Sequence, residues 1–418
     1  MKRSHTLGKI AEIFARSLLS ASLAIYIIAA PAAQAYSFAY TVADMRLPSA
    51  LSGGSACPQP DHWNSSLAGG INRRWSTSLS ANPITILTQD QTPSGQLDEI
   101  EAVIAQSFGV WTGVAGTTLI PTSMATLART TDAIACSSAD GLNTICLDQD
   151  DPAFTTGVIS FTRVTTADSI GDQPVLNHAA STFVGEIVDA DIVLNPTNSA
   201  GVFATPAMLA ANPQANDLES VLTHELGHFF GLEHTAVWSG MMFPFVPAPG
   251  TFDGPRPTSQ APDAPLSDDD RTGLRVLYPD ATDTTHLGTI SGRILPANPL
   301  SLTGLPGVTG IFAAQVVAVD NATGAIIAAT HAGWSCKNAG PPVFDGSYIL
   351  QKLAVGVTQN YQIYVEPFTG PENSSDIAGT LVNLCRNGFS DANWPAQFSC
   401  TVPAVNTNFT ARIRPPGN

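Results

Sequence analysis

Apolar and polar residues alternate in two different ways along the chain, with a change near residue 282. Before that point, the stretch "GQLDEIEAVIAQSFGVWTGV" has apolar residues at every third or fourth position, which predicts a helix with one buried face. The residues of this face are Ile100, Val103, Ile104, Phe108 and Trp111. Short β-branched runs predict strands at residues 84–88, 144–147, 157–164 and 190–195. Strands mixed with helices predict an α+β domain over residues 71–281.

A second helical stretch leads into the sequence "THELGHFFGLEH". Its apolar face consists of Leu218, Val221, Leu222, Leu226 and Phe229. Asn216 is the predicted N-cap, and Glu219 three residues later would complete a capping box. Gly231 predicts the end of the helix, because glycine readily adopts the left-handed conformation just past a helix terminus.

Beyond residue 282 the alternation has the period of strands. The runs "GTISGRIL", "AAQVVAVD", "AIIAAT", "GSYIL" and "YQIYVEP" are separated by Gly, Asn and Pro, and Asn321–Gly324 predicts a hairpin loop. Regular short strands without a helix-length pattern predict an all-β sandwich over residues 285–418.

The amino-acid composition and the net charge indicate a folded protein and argue against one class of partner. Of the 418 residues 44% are hydrophobic and 12% are charged, which is typical of a folded protein. The formal net charge of -16 argues against a nucleic-acid partner, because binding phosphates requires a basic surface.

The first 35 residues have the form of a secretory signal. Basic residues precede the apolar run "SLLSASLAIYIIAAPAAQA", which ends in a small-x-small cleavage site at Ala33–Ala35. An uncleaved membrane anchor is the alternative, but the apolar run is short for a membrane span. We therefore expect an exported protein, of bacterial form, with no membrane span after cleavage. Residues 36–70 are rich in Ser, Gly, Pro and Asn and predict an extended leader.

Export would place the six cysteines in an oxidising compartment. Cys136 and Cys146 flank a turn-rich segment and could close a small loop, while Cys336, Cys385 and Cys400 lie late in the chain. An even count allows three disulfides, whose connectivity the sequence leaves open.

The segment Thr223–His234 contains three of the eight histidines. On a helix, His224 and His228 are one turn apart and point to the same side, where both can reach one small cation. Gly231 would turn the chain so that His234 can return as a third ligand. Glu225 lies roughly 100° around the helix from His224, beside the ion, where a general base for a bound water is needed. Zinc suits three imidazoles and a water.

The pattern H-E-x-x-H-x-x-G-x-x-H resembles the metzincin metallopeptidases, and among them the matrixins. The stretch "SGMMFPF" resembles their methionine turn, with Met242 as the apolar floor below the ligands and Met241 as the weaker candidate. The stretch "LSDDDRTGLRVLYPD" resembles their final helix, with Asp269 and Asp270 matching its Asp pair. These matches imply a twisted mixed sheet, an active-site helix and a C-terminal helix.

The resemblance implies a zinc endopeptidase that cleaves proteins or peptides by a zinc-activated water, with Glu225 as general base. Pro244 and Val246 would line the substrate pocket. Calcium is implied only in general, because no ligand pattern for it is present and His178 alone is typical of an ordinary histidine. "SACPQPD" matches part of the matrixin latency motif, which makes Cys57 either a latency thiol or a half-cystine.

Two classes of function remain after these inferences. One is the secreted endopeptidase. The other is a secreted binding or adhesion protein whose metzincin domain is idle. The C-terminal region resembles the carboxypeptidase-regulatory-like and Cna-B-like modules, which implies either binding to a matrix, surface or substrate or the role of a stable appendage. Glu225 and the three histidines are all present, and this completeness favours the enzyme.

Overall fold

The chain divides into two compact units, residues 1–30 and 31–418, and all described residues belong to the second. The structure is a computed structural model that describes residues 40–41, 59–64, 73–76, 93–119, 128–130, 139–148, 151–154, 157–175, 179–195, 203–210, 212–235, 237, 240–283, 286–295, 309–311, 314–335, 343–354 and 360–366. The predicted signal segment, the strand at residues 84–88, Cys57, Cys136, His178 and the three late cysteines lie outside these ranges.

The bounds of the elements follow the two predicted halves of the chain. The helices are α1 (Pro93–Thr112), α2 (Pro206–Leu209), α3 (Leu218–Phe229) and α4 (Asp268–Leu277). The strands that precede α4 are β1 (Tyr40–Thr41), β2 (Gln59–Pro60), β3 (His62–Trp63), β4 (Arg73–Ser76), β5 (Ala128–Thr130), β6 (Asn143–Leu147), β7 (Ser160–Thr166), β8 (Glu186–Leu194), β9 (Phe203–Ala204) and β10 (Asn216–Asp217). The later strands are β11 (Leu287–Arg293), β12 (Gln315–Asp320), β13 (Ile326–His331), β14 (Gly333–Ser335), β15 (Val343–Ala354) and β16 (Tyr361–Glu366).

A mixed sheet forms the centre of the first half, as predicted. Strands β5, β4, β6 and β8 lie side by side and are parallel, and β3 also pairs with β8 in parallel. Strand β7 runs antiparallel along β8. Parallel sheets need cover on their faces, because their strands are buried on both sides. Helices α1 and α3 pack on each other, and α3 also contacts β7 and β8.

The core between these helices and the sheet is aromatic and aliphatic. All five residues of the predicted α1 face are buried, with at most 5% of their surface exposed. Phe108 lies edge-on to both Phe229 and Phe230, at centroid distances of 5.7 and 6.3 Å. The apolar pattern that predicted helix α1 therefore also predicted which of its residues are buried in the core.

Strand β8 is buried along its full length although it contains three carboxylates. The sequence predicted only residues 190–195, because the acidic residues interrupt the apolar run. Backbone donors from the neighbouring loop and strand explain how the acids are accommodated. The amide of Gly141 donates to Asp189 Oδ1 at 2.7 Å, and the amide of Thr144 donates to Asp191 Oδ1 at 2.9 Å. Asp191 Oδ2 has no partner among the described residues.

The later strands form two three-stranded antiparallel sheets, with strand orders β11-β15-β14 and β13-β12-β16. The predicted hairpin loop at Asn321–Gly324 is confirmed, and Asp320 Oδ1 accepts the amides of Ala322 and Thr323 within it. Helix α4 packs against β13 and β15, so the two halves of the described chain share a buried boundary. The sandwich over residues 285–418 stays a prediction, since residues 367–418 lie outside the described part.

Within the part of the chain that the structure describes, no helix is both long enough and apolar enough to cross a bilayer.

We predict that the buried carboxylates of β8 make the protein less stable as the pH rises from 5 to 8. Burial, and next the neighbouring Asp189, raise the pKa of Asp191 to about 8, and burial raises the pKa of Asp189 to about 6. Above the ordinary pKa of 3.8 the unfolded chain loses these protons while the folded chain keeps them, so rising pH favours unfolding. The expected loss is about 2 to 5 kcal/mol in the free energy of unfolding.

Urea unfolding of the full chain at both pH values measures this change. The variant Asp191→Asn should flatten the pH dependence, because an amide has no proton to lose in this range. An equally steep dependence in Asp191→Asn would contradict the assignment.

Candidate metal centre

Helix α3 begins one residue later than the sequence predicts. Its N-cap is Asp217, whose carboxylate accepts the amides of Glu219 at 2.9 Å and Ser220 at 3.2 Å. The prediction of Asn216 was wrong: Asn216 lies one residue before the cap, and the side chain that accepts the first helical amides is that of Asp217. Arg256, from the loop before α4, binds the carboxylates of both Asp217 and Glu219. The start of the helix is therefore tied to that loop.

The end of α3 is a glycine turn, as predicted. Gly231 has φ +94°, and the amide of Leu232 donates to Gly227 O at 2.9 Å while that of Gly231 donates to His228 O at 2.9 Å. This is the Schellman pattern that satisfies the last carbonyls of a helix. A Cβ at residue 231 would lie 2.0 Å from Asp61 O, so the position requires glycine for space as well as for conformation.

The three predicted ligands come together. Ligand atoms of His224, His228 and His234 all lie within 4.8 Å of one another, and the Nε2 atoms of His224 and His234 are 3.1 Å apart. The first two histidines project from one side of α3, and the glycine turn returns His234 to the same place. The geometry of the sequence motif is thus realised in the fold.

Backbone carbonyls orient two of the rings. His224 Nδ1 is 2.7 Å from Met241 O, and His228 Nδ1 is 2.8 Å from Leu232 O. A carbonyl only accepts, so each Nδ1 carries the proton and each Nε2 offers a lone pair to the centre. This is the arrangement in which histidine binds a metal, with the outer nitrogen donating to a second group.

The residues present fit zinc. At zinc–nitrogen distances of about 2.0–2.1 Å, two ligands of a tetrahedral site are about 3.3 Å apart, close to the separation of His224 and His234. Burial, and next the nearby His224, lower the pKa of His228 to about 4, so its ring is neutral at pH 7 as metal binding requires. The described residues form no second cluster of this kind, so calcium receives no support from them.

Met242 packs against the helix that carries the ligands. A Cβ placed on Gly227 would lie 2.0 Å from Met242 Sδ and 2.9 Å from Trp111 Cζ2. The helical glycine thus makes room for the thioether and the indole ring, the close packing that its place in the motif suggests. Met242 is 2% exposed, and its role as an apolar floor below the ligands stays a prediction.

The two predicted aspartates hold the loops around the ligands. Asp270 Oδ2 accepts the amide of Met241 at 2.8 Å, and Oδ1 accepts that of Met242 at 3.2 Å. Asp269 Oδ2 accepts the hydroxyl of Thr235, the residue after His234, at 2.8 Å. These partners could not be predicted from the sequence, because acidic residues in a first helical turn are already explained by the helix dipole.

Glu225 is buried beside the histidines and is held by two hydroxyls from β7. Ser160 Oγ donates to its Oε1 at 2.5 Å, and Thr162 Oγ1 lies 2.7 Å from its Oε2. Sequence reasoning missed both hydroxyl residues. They are more than sixty positions away, and the only available signal was the alternation that placed them on one face of a predicted strand.

The remaining predicted site residues are less constrained by the structure. Pro244, two residues after Met242, is half-buried, and Val246 is 39% exposed, so their place in a pocket stays a prediction. Cys57 lies outside the described residues, and its role as a latency thiol also stays a prediction. Cys146 is disulfide-bonded.

Comparison with known families agrees with this geometry. The family model described as Matrixin matches residues 143–279, which run from the first residue of β6 to two residues past α4. The match includes the three histidines, Glu225, Met242 and the aspartate pair, and it covers less than half of the 418-residue chain. No curated protein matches the chain significantly.

We predict that Gly227→Ala destabilises the protein and weakens its zinc binding. The new methyl group would overlap Met242 and Trp111, and overpacking of this kind costs about 1 to 3 kcal/mol. This exceeds the gain of about 1 kcal/mol expected from replacing a helical glycine. Chemical unfolding and competition with a chromophoric chelator measure the two effects.

Gly109→Ala is the matched control. Gly109 is also helical, but nothing lies within 4 Å of a Cβ placed there, so that variant should be unchanged or more stable. If both variants behaved alike, the packing of Met242 on Gly227 would not be the constraint.

Proposed function

Because residues 143–279 form a matrixin-like metzincin domain, we propose that the protein is a secreted zinc-dependent endopeptidase. The observation that carries the proposal is the convergence of three imidazoles directly beside a buried carboxylate. His224, His228 and His234 would hold the ion, and Glu225 would act as general base.

The ion and the residues around it would have separate roles in peptide-bond hydrolysis. Bound zinc would polarise the scissile carbonyl and lower the pKa of a water molecule. Glu225 would take a proton from the attacking water and deliver it to the leaving nitrogen. A carboxylate has about four lone-pair positions, so the hydroxyls of Ser160 and Thr162 leave room for this proton. Those hydroxyls would keep the carboxylate aimed at the centre.

An extended substrate would bind along β7. Among the described strands, β7 pairs with β8 on one side and with no other strand. A peptide would add as a further strand along the other edge of β7, next to Glu225. Pro244 and Val246, which follow Met242, would form the pocket wall for the residue after the scissile bond.

Export is part of the proposal. It rests on the signal-like first 35 residues, and the disulfide at Cys146 fits an oxidising compartment. Substrate or matrix binding by the C-terminal strands is a further element that follows from their resemblance to accessory modules.

Glu225→Gln is the direct test of the mechanism. The amide keeps the size of the side chain but cannot accept the water proton, so turnover should fall by about 100- to 10,000-fold. Zinc content, measured by mass spectrometry, should stay the same. Hydrolysis of a quenched peptide library, with and without a chelator, supplies the activity.

Each outcome separates the enzyme from the binding protein. Chelator-sensitive cleavage that is lost in the Glu225→Gln variant supports the endopeptidase. Zinc-loaded mature protein that cleaves nothing in the library would favour the binding protein with an idle metzincin domain. Cleavage retained by the variant would remove Glu225 as the base.

We also predict that the β7 hydroxyls affect turnover more than substrate binding. Replacing Ser160 with Ala and Thr162 with Val removes both hydroxyls that contact the carboxylate of Glu225; the Thr162 hydroxyl also lies 2.9 Å from Glu225 O. We expect kcat to fall about tenfold, with KM and zinc content little changed, because only the orientation of the base is lost.

Thr165→Val provides the control for that experiment. Thr165 lies on the same strand, and alternation along β7 places it on the face opposite Ser160 and Thr162. A similar drop in kcat for Thr165→Val would point to a general effect on the strand.

A further inference from the structure

The sheet β13-β12-β16 contacts the loop that joins the third ligand to Met242. Val237, in that loop, is 2% exposed and packs against Val317 of β12 and Ala329 of β13. These three residues form a small apolar cluster of their own, separate from the main core. The C-terminal half therefore buries a residue only three positions after His234.

A hydrogen-bonded chain connects the same sheet to the ligand. The amide of Ala329 donates to Asp269 Oδ1 at 2.9 Å, and the hydroxyl of Thr235 donates to Asp269 Oδ2 at 2.8 Å. Thr235 directly follows His234, and its amide donates to Met242 O at 2.7 Å. Asp269 and Thr235 are both fully buried, so these bonds do not exchange with solvent.

Ala329 is free to make this bond because of its place in the sheet. Strand β13 is at the edge of its sheet and pairs only with β12 among the described strands. An edge strand has a row of amides that no ladder uses. The amide of Ala329 is one of these, and it donates to the buried carboxylate of Asp269. This hydrogen bond connects the edge strand to the other half of the chain.

We propose that the β13-β12-β16 sheet is a positioning element of the metal centre, acting on His234 through Ala329, Asp269 and Thr235. This rests on the proposed zinc site and gives the C-terminal half a role in it beyond matrix binding. Asp269 and Thr235 are positioning residues, since they act on the ion through the loop that carries His234. Groups behind the ligands commonly change metal affinity by about 10- to 100-fold.

The test compares zinc affinities of full-length variants by competition with a chromophoric chelator. Ala329→Pro removes the amide that donates to Asp269 Oδ1, and proline is tolerated best on an edge strand. Asp269→Asn replaces an oxygen that accepts with a group that cannot. Each change should weaken zinc binding about tenfold, and the double variant should be no weaker than either single one, because both break the same connection.

Val316→Ala is the matched control for loss of stability. Val316 and Val317 are neighbours on β12 and are equally buried, but Val316 packs into the main core, not against Val237. Val316→Ala should lower the midpoint of urea unfolding without changing zinc affinity. Val317→Ala should lower both.

The outcomes either support or overturn the proposal. If Ala329→Pro and Asp269→Asn lost stability but kept the zinc affinity of the parent protein, or if their effects simply added, the sheet would be structural only. Should Ala329→Pro fail to fold, Thr235→Val tests the other end of the chain, with Thr235→Ser expected to restore affinity. Zinc affinity does not depend on cleavage, so an inactive parent protein would contradict the proposed function and leave this comparison intact.

Discussion

The site depends most on the hydrogen bonds from His224 and His228 to backbone carbonyls. Each bond fixes the tautomer and the plane of an imidazole, so that Nε2 faces the common centre. The two carbonyls belong to Met241 and Leu232, in turns that follow α3. Anything that shifts either turn therefore rotates a ligand, and much of the surrounding structure keeps those turns in place. Asp270 binds the first turn, and the glycine conformation at residue 231 determines the second.

Carboxylates are buried in two different places, and in both they need nearby hydrogen-bond donors. Beside the histidines, each carboxylate of the aspartate pair and of Glu225 is met by amides or hydroxyls, as a buried acid requires. In β8 the amide and the hydroxyl of Thr144 both donate to Oδ1 of Asp191, and its Oδ2 has no partner among the described residues. The hydrogen-bonded acids orient the site, but burial raises the pKa of Asp270 as it does that of Asp191, so both places make stability depend on pH.

Much of this architecture could be predicted from the sequence, because it follows from local periodicity and from one motif. The buried face of α1, the glycine end of α3 and the meeting of three histidines all depend on residues close together in the chain. The first residues of β8 were not predicted to be in a strand, because Glu186 and Asp189 are of the charged type usually found at the surface. Their burial becomes clear only from their hydrogen-bond partners in the structure. Both Asn216 and Asp217 are good N-caps and both lie in the β9–β10 ladder, and only contacts from distant residues, such as the ion pair of Asp217 with Arg256, distinguish them. The hydroxyls on Glu225 and the amide on Asp269 come from distant strands, for which one sequence offers no pairing signal.

Arg256 has a consequence for how such a site can change. It lies in the segment between Met242 and α4, and it holds two carboxylates at the first turn of α3. Its guanidinium also stacks on Phe252, at 4.1 Å from the ring centroid, within the same segment. The segment beside the proposed pocket is thus anchored to the helix that bears the ligands. Replacing this segment with a different one, to change which peptides fit the pocket, would also remove the ion pairs that hold the start of that helix. Substrate selectivity and the stability of the helix would therefore have to change together during evolution.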